Sequence, residues 1–510
     1  MALVERIEGG DADGRHFRLR SPATLEPVGE FAACTAEDVQ AAVDTARKAQ
    51  RDWGALSHEE RGRYLKRAIT VLLEKQDEFA AVITSETGKP EAEVVGPELL
   101  MSCDVLSFYA KRAGRILADR SVPLHLLKTK KLKISYRPLG VIGIITPWNV
   151  PFLLSLNPTV QALIAGNAVI LKPSEVTPHS GQLVEALWRE AGLPEGVFQC
   201  LLGDGETGAA LVSSSVDKVS FTGSVGTGRK VAEACARNLT PCTLELGGKD
   251  PMVVCADADL ERAASGAVFG AFANAGQICV STERVYVVDE VADEFERKVV
   301  EKTGELRQGA GGGIDIGPMI QAEQLEKVES QVADAVARGA RVLAGGRRNP
   351  DHVGLFYEPT VLVDVTHDMA IMRDETFGPV LPIMRVRDEE EALQRANDTR
   401  YGLSANVWTR DKRKGATLAK RIEAGSVVVN DCMLTYGTTE APFGGRRESG
   451  IGQVNGEIGL RGYCHAQSIL IDRFGGKTEA LWFPYTARKA RLLRRMMRFL
   501  WGTPLGRFLS

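Results

Sequence analysis

The sequence predicts an α/β protein built on doubly wound parallel sheets, and three observations carry that prediction. Between residues 141 and 246, short runs rich in valine and isoleucine alternate with helical patterns, which is typical of parallel strands joined by crossover helices. Residues 139–171 contain no charged residue, as expected for strands that are covered on both faces. At 510 residues the chain exceeds one ordinary domain, so two large domains are expected.

The composition is that of an ordinary soluble globular protein. The chain is 44% hydrophobic and 25% charged, and its net charge of -3 gives no sign of a nucleic-acid partner. Its nine cysteines are an odd number without metal-ligand spacing, so no metal centre is expected and a reducing, cytoplasmic compartment is predicted. Residues 1–20 lack the apolar core of a signal peptide. Pro147, Pro151 and Pro158 interrupt the uncharged stretch, so we do not interpret it as a membrane span.

The first part of the chain is predicted to be mostly helical. Thr35 and Asp38 form a capping box ahead of apolar residues at helical spacing, which predicts a helix start. The helical pattern continues to about residue 112, with a break at 88–90. In residues 122–137, apolar residues alternate with lysines, which is typical of an exposed hairpin.

The central region predicts strands and helices in alternation. The predicted strands are Val141–Ile145, Ala168–Lys172, 197–202 and Lys218–Thr222, and the predicted helices are 181–191 and 208–213. Residues 203–208 match GxGxxG, but the acidic residue expected about 20 positions later has a candidate only in Asp217, so we do not interpret this match as the dinucleotide fingerprint. Residues 221–228 also leave a strand and open a helix, whose amides can meet a phosphate. A tight turn that needs glycine explains this second pattern equally well.

Three motifs contain candidate catalytic residues. Cys279 lies in Asn-Ala-Gly-Gln-Ile-Cys-Val at 274–280, just before a strand-like run at 284–288. A thiol becomes a nucleophile only as its thiolate, and a small buried hydrophobe is an equally common role for cysteine. Glu245 lies in Leu-Glu-Leu-Gly-Gly-Lys at 244–249, and Asn149 lies in Thr-Pro-Trp-Asn-Val-Pro at 146–151. Taken singly, Glu245 is also explained as a structural partner of Lys249, and Asn149 as a turn residue.

Together and in this order, the three motifs resemble the aldehyde dehydrogenase superfamily, and the resemblance runs from about residue 24 to residue 472. It implies a fold of two doubly wound α/β domains, one NAD-binding (1–115 and 138–246) and one catalytic (247–450). It also implies a β-hairpin and strand element (116–137 and 451–476) that joins the subunits of a homodimer or homotetramer. The segments 442–445 and 448–452 are a further signature of the same superfamily.

The resemblance also implies a role for each motif. Cys279 attacks the aldehyde carbon, while the Asn149 side chain and the Cys279 amide stabilise the oxyanion. Glu245 activates the water that hydrolyses the thioester. The residues implied in cofactor binding are Thr146, Trp148, Lys172, Ser174, Glu175, Gly205, Gly223, Ser224, Glu375 and Phe377. Because a carboxylate at Glu175 accepts from ribose hydroxyls and repels a 2′-phosphate, NAD is expected to be preferred to NADP.

The predicted function is the NAD-dependent oxidation of an uncharged aliphatic or aromatic aldehyde to the carboxylic acid, through a cysteine thiohemiacetal and thioester. A CoA-acylating dehydrogenase is one alternative, and a structural or NAD-binding protein that has lost catalysis is another. Relatives that act on succinic semialdehyde place arginines six residues before the cysteine and eight after the asparagine, where this chain has Ala273 and Asn157. The implied substrate tunnel is mostly apolar, and its residues are Val150, Phe152, Leu153, Leu154, Leu434 and Tyr436.

Residues 477–510 lie beyond the resemblance. They contain eight basic residues and one acid, which leaves about -10 charges on the rest of the chain. Within 486–501, leucines and methionines recur at helical spacing with five arginines on the opposite side, and Lys489 falls on the apolar side. One interpretation is a helix packed on its own or a partner subunit. The other is an interfacial anchor that binds anionic lipid at the inner face of a membrane.

Overall fold

The structure is a computed structural model that describes residues 3–7, 15–479 and 481–504. The chain divides into two units, a larger one of residues 1–116 and 138–463 and a smaller one of residues 117–137 and 464–510. Elements are numbered in chain order. A short antiparallel sheet of the larger unit consists of β1 (Val4–Ile7), β2 (His16–Arg20) and β3 (Pro27–Ala32).

The larger unit contains two large sheets. The first has the order β18 (Gly450–Ile451), β10 (Cys242–Glu245), β9 (Lys218–Thr222), β6 (Val141–Ile145), β7 (Ala168–Lys172), β8 (Phe198–Cys200). The second has the order β13 (Arg341–Ala344), β14 (Thr360–Val363), β15 (Val380–Val386), β12 (Thr282–Val288), β11 (Asp250–Val254), β16 (Ser404–Trp408), β17 (Ser426–Val429). Pairing is parallel except at the edge strands β18 and β13. The predicted α/β fold is therefore confirmed.

Helices connect and cover these strands. They are α1 (Ala36–Ala55), α2 (His58–Glu74), α3 (Gln76–Thr87), α4 (Glu91–Val94), α5 (Met101–Ile116), α6 (Pro151–Ile164), α7 (Pro178–Glu190), α8 (Gly205–Ser213), α9 (Val225–Asn238), α10 (Leu260–Phe272), α11 (Asp289–Gly304), α12 (Ala322–Ala337), α13 (Ala370–Arg373), α14 (Glu389–Asn397), α15 (Lys412–Arg421), α16 (Leu434–Gly437) and α17 (Gly456–Arg461). A π-helix, Val95–Leu100, joins α4 to α5, and 3-10 turns form at Ala273–Gly276 and Arg447–Ser449. Buried apolar residues pack on both large sheets.

Element boundaries differ from the sequence prediction where capping decides them. The predicted box at Thr35 and Asp38 is present. Helix α7 begins at Pro178, three residues before its predicted start, because proline suits the first turn of a helix. Helix α8 begins at Gly205 because the Asp204 carboxylate accepts from a backbone amide and caps it. The Asp217 carboxylate accepts from the Val141 amide at 2.7 Å, so it belongs to the framework of the sheet.

The smaller unit contains a three-stranded sheet and one helix. The sheet has the order β19 (Cys464–Asp472), β5 (Lys130–Pro138), β4 (Arg120–Val122), and β4 and β5 form the predicted hairpin. The helix is α18 (Ala487–Gly502). Among the described residues, no helix combines the length and apolar character needed to cross a membrane.

Candidate active site

A cavity of about 790 Å³ opens where the parallel strands of the first large sheet end. Ligands of open α/β sheets bind at this edge. All thirteen residues that the sequence nominated for catalysis or cofactor binding line the cavity, namely Thr146, Trp148, Asn149, Lys172, Ser174, Glu175, Gly205, Gly223, Ser224, Glu245, Cys279, Glu375 and Phe377. The fold therefore brings together residues that are separated by more than 200 positions in the chain.

The turn that precedes Cys279 has an unusual backbone. Asn274, Ala275 and Gly276 all have positive φ angles, of 52°, 53° and 72°, in the left-handed region that residues other than glycine rarely adopt. At Gly276, a Cβ atom would lie 2.1 Å from the carbonyl oxygen of Gly378, so no larger residue fits. This strained turn, between α10 and β12, carries the thiol to the cavity.

The turn that carries Asn149 is tied to the cysteine turn by two hydrogen bonds. The Asn149 side-chain nitrogen donates to the backbone carbonyl of Gln277 at 2.8 Å. The Asn274 side chain donates to the backbone carbonyl of Asn149 at 2.9 Å. A side-chain amide has two N–H groups, so one of them remains after the bond to Gln277. The candidate oxyanion donor is thus held by the same loop that carries the candidate nucleophile, Cys279.

Glu245 ends β10 and is buried, with 6% of its surface exposed. Neither of its carboxylate oxygens has a hydrogen-bond partner among the described residues, and burial raises the pKa of this carboxyl well above its ordinary value. The alternative that Glu245 pairs with Lys249 is wrong, because the Lys249 ammonium lies 2.8 Å from the Glu283 carboxylate. A buried polar group without a partner is uncommon, and at a cavity it marks a candidate for proton transfer.

The environment of Cys279 favours the thiol over the thiolate. Burial raises the pKa of Cys279, and the nearby carboxyl groups of Asp250, Glu245 and Glu375 raise it further. A nucleophilic thiol needs a local means of favouring its anion, and these surroundings have the opposite effect. Attack by Cys279 therefore requires a base that takes its proton.

The loop that follows α13 brings Glu375 and Phe377 to the cavity. The Glu375 carboxylate accepts from the Gly248 amide at 3.1 Å, and burial together with Glu283 raises the pKa of Glu375 to about 7. The Phe377 amide donates to Glu283 at 2.8 Å. The Phe377 ring meets Trp148 edge to face, with centroids 5.6 Å apart. The Glu283 carboxylate thus holds this loop in place by accepting from its backbone amides.

Four other nominated residues, Lys172, Glu175, Gly223 and Ser224, also line the cavity. The Lys172 ammonium lies 3.0 Å from the Glu175 carboxylate. After β9, Gly223 leads into Ser224, whose hydroxyl accepts from the Thr227 amide at 3.3 Å and caps α9. A carboxylate suits ribose hydroxyls, and the first turn of a helix suits a phosphate. These residues therefore fit a nicotinamide dinucleotide.

Of the last three nominated residues, two have local partners. The Thr146 hydroxyl lies 2.8 Å from that of Ser155, and the Ser174 hydroxyl accepts from the Val176 amide at 3.3 Å. Gly205 opens α8, and a Cβ atom there would meet no other atom within 4 Å. Space alone therefore does not require glycine at this position.

Residues 89–98 support the site and are absent from the sequence-based site prediction. The Lys89 ammonium lies 2.7 Å from the Glu98 carboxylate and donates to the Asn149 carbonyl at 2.8 Å. The other oxygen of Glu98 accepts from the first turn of α6 at 2.8 Å. Glu93 accepts from the Asn274 amide at 2.7 Å, and burial raises the pKa of Glu93 to about 7. Their partners outside this segment lie 54 to 181 residues away in the chain, so no local pattern indicates them.

Further polar residues line the cavity without a sequence signal, among them Asp204, Lys230, Gln324 and Lys327. The Gln324 side chain donates to the Thr376 carbonyl at 2.6 Å and so braces the loop that carries Phe377.

The residues of the predicted substrate tunnel have different environments. Leu154 lines the cavity. Phe152 is fully buried, and its ring packs edge to face on Phe79 of α3 with centroids 5.4 Å apart, so its assignment to the tunnel wall is wrong. Tyr436 and Cys279 both contact one apolar cluster, which is formed by Val280, Leu403, Phe443 and Val454. The surroundings of the thiol are therefore largely apolar on this side.

Asn157 belongs to a neutral hydrogen-bond network. Its side-chain nitrogen donates to the Tyr436 hydroxyl at 3.1 Å and to the Asn455 side chain at 2.8 Å. Its oxygen accepts from Gln161 at 2.9 Å. The position that would carry an arginine in the succinic semialdehyde pattern is therefore occupied by a buried, fully bonded amide.

Comparison with known proteins gives one consistent family. The model described as "Aldehyde dehydrogenase family" matches residues 10–469. The chain is 40% identical over 484 residues to 4,4'-diapolycopene aldehyde oxidase of Methylomonas sp, which covers 94% of this chain and 91% of that protein. It is also 40% identical over 453 residues to a putative succinate-semialdehyde dehydrogenase of Mycolicibacterium smegmatis, named as NADP(+)-dependent, covering 88% and 86%.

Solved structures agree with this result. The NAD-dependent aldehyde dehydrogenase of Sinorhizobium meliloti superposes with a TM-score of 0.88 at 36% identity, covering 95% of this chain and 96% of that one. The aldehyde dehydrogenase of Mycobacterium tuberculosis complexed with NAD+ gives a TM-score of 0.86 at 34% identity, covering 93% and 97%.

Proposed function

Since this chain belongs to the aldehyde dehydrogenase family, an oxidoreductase family that acts on aldehydes with NAD or NADP, we propose that it oxidises an uncharged aldehyde to the carboxylic acid with NAD. One observation carries the proposal. Cys279, the Asn149 amide and the unpartnered Glu245 carboxyl line a single cavity. These are the nucleophile, oxyanion donor and base that acyl transfer through a thioester requires.

Different residues of the cavity would hold different parts of the cofactor. Glu175 and Lys172 would hold the adenosine ribose, the first turn of α9 the pyrophosphate, and Glu375 the nicotinamide ribose. Phe377 and Trp148, which contact each other, would flank this region. NAD, when bound, accepts the hydride that leaves the substrate carbon. The rest of the chemistry belongs to side chains of this chain.

Proton transfers begin and end the reaction. A base takes the Cys279 proton as sulfur bonds to the aldehyde carbon, and the oxyanion of the thiohemiacetal accepts from the Asn149 side chain and the Cys279 amide. After hydride loss the carbon is a thioester. Glu245 in its ionised form removes a proton from water as the water attacks the thioester, and the Cys279 sulfur leaves. The raised pKa of Glu245 makes its ionised form a stronger base than an exposed glutamate.

The alternatives are weaker in the light of these contacts. In a CoA-acylating enzyme a thiol replaces water, and a buried base for water has no evident function there. In a scaffold without catalysis, nothing would maintain a buried carboxyl without a partner, since such a group destabilises the fold. The retained Glu245 therefore favours a hydrolytic aldehyde dehydrogenase.

The proposed substrate class rests on residues rather than on relatives. The names of two relatives point to different aldehydes, since one names diapolycopene aldehyde and the other succinate semialdehyde. In this chain Asn157 is buried in a neutral network, Ala273 carries no charge, and the cluster beside Cys279 is apolar. An uncharged aliphatic or aromatic aldehyde fits these surroundings better than one with a distal carboxylate.

We also propose a cytoplasmic homodimer or homotetramer. Strand β19 is an edge of its sheet, and most of its residues are exposed. An exposed edge strand of nine residues is a ready site for pairing with a strand of another subunit.

An aldehyde panel tests the proposal. We expect NADH formation without CoA, a carboxylic acid as product, and kcat/KM values for uncharged aldehydes that exceed the value for succinic semialdehyde at least about tenfold. Strict dependence on CoA with a CoA thioester product would establish the acylating alternative. Absence of NADH with every aldehyde, in a protein that still binds NAD, would establish the scaffold without catalysis.

A further inference from the structure

The helix α18 has two chemically different sides. Thr486 caps it by accepting from the Lys489 amide at 3.2 Å, and none of its residues is buried. One side carries Leu492, Leu493, Met496, Met497, Phe499 and Leu500, and the other carries Arg488, Arg491, Arg494, Arg495 and Arg498. Leu492 is 64% exposed and Met497 56%. A helix that covers a protein core buries its apolar side, and this one does not.

Lys489 has a structural explanation for its place on the apolar side. Its ammonium donates to the backbone carbonyl of Trp482, which brings the segment before the helix against that side. Trp482, Phe483 and Tyr485 in this segment are 58% to 76% exposed, and the last two rings contact each other with centroids 4.6 Å apart. The exposed apolar surface therefore extends from the helix onto an aromatic segment, with Lys489 as the link between them.

The arginines of this helix form no ion pair with the described part of the chain. No carboxylate among the described residues lies within ion-pair distance of Arg488, Arg491, Arg494, Arg495 or Arg498. Elsewhere, exposed arginines commonly have acidic partners, as Arg385 does with Asp293 at 2.6 Å and Glu296 at 2.7 Å. Glu479, the one acid of residues 477–510, already pairs with Lys130. The positive side of α18 therefore has no internal counterpart in the described part of the chain.

We propose that residues 481–502 bind an anionic lipid surface, with α18 lying in the plane of the membrane interface. Its arginines meet lipid phosphates, and its apolar side enters the headgroup boundary together with Trp482 and Phe483. Exposed aromatic residues beside an arginine-rich helix are typical of that boundary. A second copy of the helix explains the same surface less well, because pairing of the two apolar sides would leave both sets of arginines without an anionic partner. The proposal does not depend on the proposed substrate or reaction.

Vesicle flotation with the full-length protein tests this proposal. The vesicles contain phosphatidylcholine either alone or mixed with phosphatidylglycerol. The test variant replaces four arginines with glutamine, at Arg491, Arg494, Arg495 and Arg498. The matched control replaces four exposed basic residues of the larger unit with glutamine, at Lys48, Arg51, Lys66 and Lys412, which removes the same charge.

We expect the wild type and the control to bind the mixed vesicles and the four-arginine variant to bind them at least about 100-fold more weakly. Binding should also fall between about 0.1 M and about 1 M salt, since the Debye length falls from about 10 Å to about 3 Å. A second variant, Leu492→Ser with Met496→Ser, should lose binding while it keeps the arginines. NADH formation from a water-soluble aldehyde should be the same in every protein, because the helix lies outside the cavity residues.

Other outcomes would overturn the proposal. If the wild type ignores mixed vesicles and either tail variant lowers the particle mass in light scattering, α18 packs between copies of the chain. Equal loss of binding in the charge-matched control would show a general charge effect without a lipid site. If the protein binds vesicles of phosphatidylcholine alone, and the four-arginine variant binds them equally well, the anionic charge of the lipid has no role in binding.

Discussion

Two groups of buried glutamates in the larger unit differ in how they are bonded. Glu98 and Glu283 each pair with a lysine and accept from backbone amides, at distances of 2.7–2.8 Å. Glu245 lies in the cavity, where neither of its oxygens has a partner among the described residues. The same type of side chain is therefore a fixed support in one region and the proposed proton carrier in the other. Its bonds, rather than its burial, decide which role it takes.

Removal of the proposed nucleophile is expected to have the largest effect on the chemistry of the cavity. Cys279→Ala is expected to lower aldehyde oxidation by at least about 10⁴-fold, because no covalent intermediate can form. NAD binding, measured by calorimetry, should be retained, since the thiol lies outside the proposed nucleotide contacts. Substantial remaining activity would place the nucleophile elsewhere.

Glu245→Gln removes the exchangeable carboxyl and preserves its shape. Steady-state turnover should fall by about 10²- to 10⁴-fold, with deacylation slowed more than hydride transfer. Stopped-flow measurements should therefore show a burst of NADH, and mass spectrometry should show the acyl enzyme. A variant without burst or acyl enzyme would contradict the role of Glu245 in hydrolysis.

Glu98→Gln tests whether the buried pair of Glu98 and Lys89 supports the fold. It should lower the free energy of unfolding by about 3 kcal/mol or more, because Lys89 would be left buried without its charged partner. Denaturant unfolding measures this effect. Glu301→Gln is the control, since Glu301 pairs with Arg297 at an exposed site, where loss of a pair costs at most about 1 kcal/mol. If the two variants lose similar amounts of unfolding free energy, the buried pair of Glu98 contributes no more to stability than an exposed pair.

The difference in stability between the wild type and Glu245→Gln should depend on pH, and the raised pKa of Glu245 fixes the direction of that dependence. An unfolded glutamate ionises near pH 4.3, and the folded pKa of Glu245 is higher, so the folded state holds more protons between the two values. Relative to the variant, the wild type should lose about 1.4 kcal/mol per pH unit as the pH rises through that window. Parallel stability curves across this range would mean that Glu245 has an ordinary pKa in solution.

Glu175→Gln tests the cofactor preference and has the smallest expected effect. It removes the carboxylate beside Lys172 and leaves the ammonium available to a 2′-phosphate. The ratio of kcat/KM with NADP to that with NAD should rise about tenfold. An unchanged ratio would show that other residues distinguish the two cofactors.

Much of the fold and of the cavity lining could be predicted from local patterns. The strands Val141–Ile145, Ala168–Lys172 and Lys218–Thr222 appear where their apolar runs place them, because a buried parallel strand has a short-range signature. Most of the nominated cavity residues lie in short turns beside strand ends or helix starts, and the motifs that carry the family resemblance are contiguous there. Their proposed catalytic and cofactor roles stay predictions.

The supporting residues could not be predicted in this way. Lys89, Glu93 and Glu98 act on turns that are far away in sequence, so only the tertiary fold relates them to Asn149 and Asn274. The lack of a hydrogen-bond partner for Glu245 among the described residues could not be predicted from the sequence either. A sequence pattern shows which residues are present and does not show which bonds they make. Lys489 interrupts the amphipathic pattern in the sequence, and only the structure explains its position, through its bond to the Trp482 carbonyl.

The burial of Cys279 also bears on how the product leaves. Burial raises the pKa of Cys279, and the nearby carboxyl groups of Asp250, Glu245 and Glu375 raise it further, because both effects disfavour an anion at the sulfur. A carboxylate released beside the same sulfur is desolvated in the same way, whereas the neutral aldehyde that entered has no charge to desolvate. The cavity therefore favours departure of the acid over its rebinding. Accumulated product should be a poor competitive inhibitor, and conversion should continue at high acid concentration.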